Sequence, residues 1–172
     1  EGPLDPRVIG QYPRGASGRR ADATIVAGRP NRVILVNDEP NERMVLSREL
    51  PAVLREASAV LVSGLNTMKS ADELRARLAE LAGMLRDVPR AVPVVYEDAG
   101  FHDEALRAVV LETVPSLADA HSLNEDEARQ YLGRQMDLTA PGDVAAMMEG
   151  LGEILGSPTV MVHTSRYAAC IG

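Results

Sequence analysis

Short apolar runs alternate with amphipathic stretches along most of the chain. Val33-Ile34-Leu35-Val36 is β-branched and continuous, and reads as a strand buried on both faces. After the turn-like Asn37-Asp38-Glu39-Pro40-Asn41, the residues Met44, Leu46, Leu50, Val53 and Leu54 recur at helical spacing. Ala59-Val60-Leu61-Val62 is a second strand, halted by Ser63-Gly64. Ser70 followed by Glu73 is a capping-box pattern that opens a helix carrying Leu74, Leu78, Leu81 and Leu85. Val92 to Tyr96 is a third strand, with Pro93 near its start, where a missing N–H does least harm. A helix from about Asp103 to Val114, a short strand near Leu117 to Ala120, and helices from Asn124 to Leu132 and Asp143 to Leu155 follow. Thr159 to His163 closes the series, and Tyr167 to Ile171 is a further strand-like run. The first thirty residues are rich in Gly, Pro and Arg, with one apolar patch at Val8-Ile9, and read as loop and edge structure.

This alternation predicts βαβ units, hence an α/β fold with a mostly parallel sheet covered on both faces. Ligands bind such sheets outside the carboxyl ends of the strands. Polar groups just after a strand are therefore the first candidates: Asn37 and Asp38, Ser63 to Asn66, Glu97 and Asp98, Asn124 with its neighbours, and His163-Thr164.

Composition narrows the function classes. The 172 residues carry 18 Lys+Arg against 25 Asp+Glu, a net charge of -7, which argues against a nucleic-acid binder held by phosphate neutralisation. At 45% hydrophobic residues the chain has enough apolar surface to fold as one globular domain. No run approaches the ~20 apolar residues of a spanning helix, and no secretory signal is visible, so no membrane partner and a cytoplasmic location are expected. One cysteine, Cys170, forbids an internal disulfide or a Cys-based metal cage. The chain begins with Glu1 and stops after an apolar run, so it is expected to be a fragment.

Four positions carry candidate chemistry, each with a plainer alternative. Asn124-Glu125-Asp126-Glu127 is a helix N-cap followed by acidic first-turn residues that suit the helix dipole. The same residues form an N-x-x-E pair, Asn124 and Glu127, suited to orienting waters around Mg²⁺, which keeps much of its hydration shell. Glu97 follows a strand and is placed for a metal, or is a solvated loop acid. Asp98 is less favoured, because an extended backbone points its side chain to the other face. Arg32 can grip a phosphate through two parallel hydrogen bonds, or is one more solvated Arg among 17. The three histidines lack zinc spacing, Ser63 is not in a nucleophile elbow, and neither a Walker A sequence nor G-x-G-x-x-G occurs.

Taken together, these segments resemble the ADP-dependent sugar kinases, the glucokinases and phosphofructokinases of the ribokinase-like superfamily. Tyr12-Pro13-Arg14-Gly15 and then Asn31-Arg32-Val33-Ile34 resemble the family's aromatic-Pro-basic-Gly segment leading into Asn-Arg-Phe-Ile. Ser63-Gly64-Leu65, Tyr96-Glu97-Asp98-Ala99, Ser122-Leu123-Asn124-Glu125-Asp126-Glu127 and His163-Thr164 are similar, in order, to its Ser-Gly-Leu, H-x-E, Gly-Met-Asn-Glu-x-Glu and His-Thr segments. The resemblance implies a three-layer α/β/α ribokinase-like core, incomplete in this chain. Residues 1–30 would be lid or hinge, and 31–172 part of the nucleotide-binding core.

The implied activity is phosphoryl transfer from Mg²⁺-ADP to a hydroxyl of a hexose or hexose phosphate, giving AMP. Arg32 matches the catalytic arginine that contacts the nucleotide phosphates, His163 and Thr164 fall near the nucleotide, and Asn31 falls on the substrate side. Glu97, Asn124 and Glu127 match the residues acting on Mg²⁺. Val95 stands where the family has the His of H-x-E, and Arg7 and Gln11 where it has His and Glu. The family's Gly-x-Gly-Asp, which supplies the base, has no counterpart in these residues, so the chain alone is expected to be inactive. The remainder of its own polypeptide, as a second chain completing the sheet, is an expected partner. An ATP-dependent kinase of the same superfamily, or a non-catalytic descendant that binds a nucleotide or a partner, are the alternatives.

Overall fold

The computed structural model describes residues 7–36 and 39–172; the candidates Asn37 and Asp38 lie outside them. The chain divides into two compact units, Glu1–Pro40 and Asn41–Gly172, later than the expected boundary after residue 30.

The first unit is built from two antiparallel ribbons. β1 (Arg7–Tyr12) pairs with β4 (Asn31–Val36), from Arg7↔Val36 to Tyr12↔Asn31. β2 (Ser17–Arg20) pairs with β3 (Ala23–Val26), and Ala21 at φ 52° makes the tight turn between them. The first thirty residues, expected to be loop and edge structure, hold three of these strands, and the described side chains of β3 are all exposed. One sequence expectation is corrected here: Val33 to Val36 belongs to β4, which among the described residues pairs with β1 alone, and Val33 is 47% exposed, so the strand is not buried on both faces. A β-branched run favours any pleated strand, and only its neighbours decide whether that strand is covered.

The second unit is an α/β sheet. In order along the sheet stand β5 (Val60–Val62), β6 (Val94–Glu97), β7 (Ala120–Asn124), β8 (Thr159–His163) and β9 (Ala168–Ile171). The first four are parallel and β9 is antiparallel to β8. The helices are α1 (Glu39–Arg43, which straddles the unit boundary), α2 (Leu50–Arg55), α3 (Ala71–Leu85), α4 (Glu104–Thr113), α5 (Glu125–Leu132) and α6 (Pro141–Leu155). Of the helical spacing from Met44 to Leu54, only Leu50 onward is helix: Met44 takes φ 42°, residues 45–49 are turn and coil, and Pro51 lies in the first turn of α2, where its missing N–H is harmless. Local caps set the other starts. The Ser70 hydroxyl accepts from the Glu73 N–H at 3.3 Å, and Asp103 accepts from the Ala105 N–H at 2.8 Å.

Buried strand residues fall overwhelmingly on one face. Val60, Val62, Val94, Tyr96, Leu123 and Val162 point that way and pack with the helices in two clusters, one around α2, α3 and α4, the other around α5 and α6. On the opposite face Leu61 is 67% exposed, and Met161 and Cys170 are exposed too. Among the described residues the helices cover one face, as expected of an α/β/α core that is incomplete in this chain. Topology explains it: strands laid side by side in chain order with right-handed crossovers send every helix to the same face. A second helical layer needs the strand order to reverse.

Candidate functional site

Three parallel strands end together, and each ends on a polar residue. The register pairs Glu97 with Ser122 and Asn124 with His163, so the last residues of β6, β7 and β8 share one edge. Alternation along each strand aims Glu97, Ser122, Asn124 and His163 at the uncovered face. There the His163 Nε2–H donates to Glu97 Oε1 at 2.9 Å, reaching across β7.

Asn124 is both the last residue of β7 and the N-cap of α5. Its Oδ1 accepts from the N–H groups of Asp126 at 2.8 Å and Glu127 at 3.0 Å. Glu127 Oε2 in turn accepts from the Asn124 N–H at 2.8 Å, which completes a capping box. The capping reading of these residues is therefore realised. It leaves the second oxygen of Glu127 for other use. Glu127 is buried, and that burial pushes its carboxyl above the ordinary range. The charges of Asp98 and Glu97 push the same way, against the Asn124 N–H and His163.

One polar cluster escaped the sequence reading. Asp98 does turn to the opposite face from Glu97, as extended backbone requires, but that face holds partners for it. Asp98 Oδ1 accepts from the N–H groups of Ala99 at 2.7 Å and Gly100 at 3.0 Å. Asp98 Oδ2 accepts from Tyr131 at 2.6 Å and from His121 Nε2 at 3.1 Å. Burial raises the Asp98 carboxyl, but the bonds from His121, Tyr131 and Gly100 outweigh it and hold the group below the ordinary range. Burial and the Asp98 charge push the Tyr131 hydroxyl well up. The His121 ring stands edge-on to Tyr96, with centroids 4.8 Å apart. The available signal is a histidine in a strand with buried neighbours, His121 between Ala120 and Ser122-Leu123.

Thr164 lies just past β8, and its hydroxyl serves the β8–β9 turn. It accepts from the N–H groups of Arg166 and Tyr167 at 3.1 and 3.0 Å. Beside that turn is a cleft of about 440 Å³ lined by Arg129, Thr139, Thr164, Arg166 and Tyr167 among others. Its lining is mixed in charge: Arg166 and Arg129, the latter paired with Asp126 at 2.9 Å, stand with Glu125 and the hydroxyls of Thr139, Thr164, Ser165 and Tyr167.

Arg32 and Asn31 belong to the first unit. Both are exposed, Asn31 Oδ1 accepts from the Arg32 N–H at 2.8 Å, and the two line a cleft of about 540 Å³ with Gln11, Tyr12 and Pro30.

Among the described residues, no group of three or more His, Cys, Asp or Glu side chains could hold a metal ion directly. Mg²⁺ keeps much of its hydration shell, so Glu97 and Glu127 would meet such a cation only through its waters. No helix among the described residues is long and apolar enough to cross a membrane.

No curated protein matches the chain in sequence. Solved structures do resemble it. The last common ancestor of ADP-dependent phosphofructokinases from Methanosarcinales matches at TM-score 0.66 and 19% identity, over 95% of this chain and 38% of that one. An ADP-dependent kinase in complex with fructose-6-phosphate and ADPβS matches at TM-score 0.69 and 17% identity, over 96% and 40%. A ribokinase from Giardia lamblia matches at TM-score 0.56 and 18% identity, over 84% and 41%. These likenesses show a ribokinase-like α/β fold, and the chain spans about two fifths of the length of each structure. The conserved region of ADP-specific phosphofructokinase/glucokinase matches residues 7–172, so the chain belongs to that family of ADP-dependent sugar kinases.

Proposed function

We propose that this chain is the central part of an ADP-dependent sugar kinase of phosphofructokinase or glucokinase type, using Mg²⁺. The observation that carries the reading is the shared strand edge where Glu97, Asn124 and His163 end three parallel strands beside Glu127. That is where an α/β sheet binds its ligand. The neighbouring complex with fructose-6-phosphate and ADPβS supports a nucleoside diphosphate and a sugar phosphate as the ligand pair.

In the reaction, a sugar hydroxyl oxygen bonds to the β-phosphorus of ADP as the bond to the bridging oxygen breaks and AMP leaves. Such transfers need positioning and charge neutralisation more than covalent help. Arg32 grips phosphate oxygens through its planar fork. Glu97 and Glu127 would hold the cation by accepting hydrogen bonds from its waters, with Glu127 anchored by its bond from the Asn124 N–H. Bound there, Mg²⁺ would supply neutralisation of phosphate charge. Arg129 and Arg166, in the cleft beside Thr164, attract the nucleotide. The hydroxyl proton goes to a base that none of the residues named here provides.

The complete gene product, given Mg²⁺-ADP with fructose 6-phosphate or glucose, should form AMP. Arg32→Ala should abolish that product and Glu127→Ala reduce it. AMP formation with one sugar and not the other assigns the substrate. ADP formation from ATP in its place would make the protein an ATP-dependent kinase. No product from either donor would leave a non-catalytic nucleotide-binding descendant of the fold.

A further inference from the structure

Glu97 and His163 stand two strands apart, with β7 between them, and both rise from the uncovered face of the sheet. Neighbouring strands lie about 4.8 Å apart. A 2.9 Å bond between β6 and β8 therefore requires both side chains to lean together over Ser122 and Asn124. The bond crosses β7 next to the residue that caps α5.

Stability does not explain this contact. The Glu97 side chain is 32% and that of His163 47% exposed, and half-solvated pairs of this kind add little to folding. Its effect is on Glu97 itself. A glutamate at the end of a strand samples several rotamers, whereas this one has Oε1 held. Glu97 Oε2 accepts no hydrogen bond from the described residues.

We propose that His163 is the positioning residue of Glu97, its Nε2–H holding Oε1 so that Oε2 is left as the acceptor for the hydration shell of a divalent cation. The identity of that cation as Mg²⁺ bound with ADP rests on the kinase reading above. The positioning role does not make His163 a nucleotide contact. Strand alternation puts position 95 on the same face of β6 as Glu97, two residues back. An imidazole introduced there would approach the same carboxylate from its own strand.

The test is a Mn²⁺ titration of the complete protein followed by electron paramagnetic resonance, with and without ADP, beside calorimetry of metal-free ADP. Partners one shell outside a metal set affinity by about 10–100-fold, and His163, acting through Glu97 and a bound water, stands one shell further out. His163→Ala should weaken Mn²⁺ by roughly threefold to tenfold while metal-free ADP affinity and the melting temperature stay as in the wild type. His163→Gln, which keeps an N–H donor at similar reach, should recover most of the loss. So should Val95→His placed on His163→Ala. An equal loss for metal-free ADP would overturn the proposal and make His163 a nucleotide contact. Unchanged Mn²⁺ affinity in His163→Ala, or no Mn²⁺ binding by the wild type, would also overturn it. Failure of the wild type to bind ADP, with the Mn²⁺ results as expected, would sink the kinase reading and leave the positioning role standing.

Discussion

Glu97 and Asp98 are adjacent in the chain and serve opposite faces of the sheet. The Glu97 carboxylate meets His163 on the open face, and the Asp98 carboxylate meets His121 on the buried one. One turn of the strand pleat thus separates a solvated pair at the candidate site from a buried network beneath it. The two pairs should answer mutation differently.

Asp98 satisfies four donors from three parts of the unit: its own loop, β7 and α5. Asp98→Ala would leave all of them without an acceptor, and should destabilise the protein by roughly 3–5 kcal/mol. Asp98→Asn keeps one acceptor oxygen and should cost less. Chemical denaturation of the two variants checks the order; equal stability with wild type would show the network contributes nothing.

The same carboxyl gives a pH dependence. Its folded pKa lies below the unfolded 3.8, so its contribution is present above that pH and is lost as pH falls toward the folded value. The denaturation midpoint should therefore fall more steeply below about pH 4 in wild type than in Asp98→Asn. Parallel acid profiles would contradict this assignment.

Glu127 has the reverse sign. Its folded pKa is raised, chiefly by burial, so ionisation costs stability as pH rises through the folded value. Gln also completes a capping box. Glu127→Gln should match or exceed wild-type stability at pH 7, with the gain vanishing near pH 4, yet form less AMP. Melting curves at the two pH values, beside the AMP assay, separate the cap from the charge.

Asn124→Ala removes an acceptor for two N–H groups at the start of α5. A loss of about 1–2 kcal/mol is expected. Asn124→Asp, which caps equally well, should restore stability in denaturant titrations.

The two faces of the sheet offer a direct comparison. Leu74 on α3 is fully buried, whereas Leu61 on β5 faces outward. Leu74→Ala should cost about 2–5 kcal/mol and Leu61→Ala within about 0.5 kcal/mol. A large cost at Leu61 in the complete gene product would show that another segment covers this face.

Much of the second unit was legible in the primary structure. Leucines at spacings of three and four placed α3, β-branched runs placed β5, β6 and β8, and Asn124 with Glu127 announced a cap that the structure realises. The strand β7 lies later than the expected Leu117 to Ala120, because His121 and Ser122 interrupt its apolar run although both are buried in the fold. In the first unit the strands leave little periodic trace, because the described side chains of β3 are all exposed and no apolar alternation marks the pairing.

The order of residues alone determined most of the helices and strands of the second unit, and which polar residues would stand at the ends of β6 and β8. Local propensity, side-chain period and capping act over a few positions, and those are written in the chain. Only the tertiary structure decided that His163 reaches Glu97 across β7, that Asp98 finds His121 and Tyr131, and that Val33 pairs outside the core. Each depends on which strands lie side by side, and residues 66 positions apart, as Glu97 and His163 are, meet only once the sheet has formed.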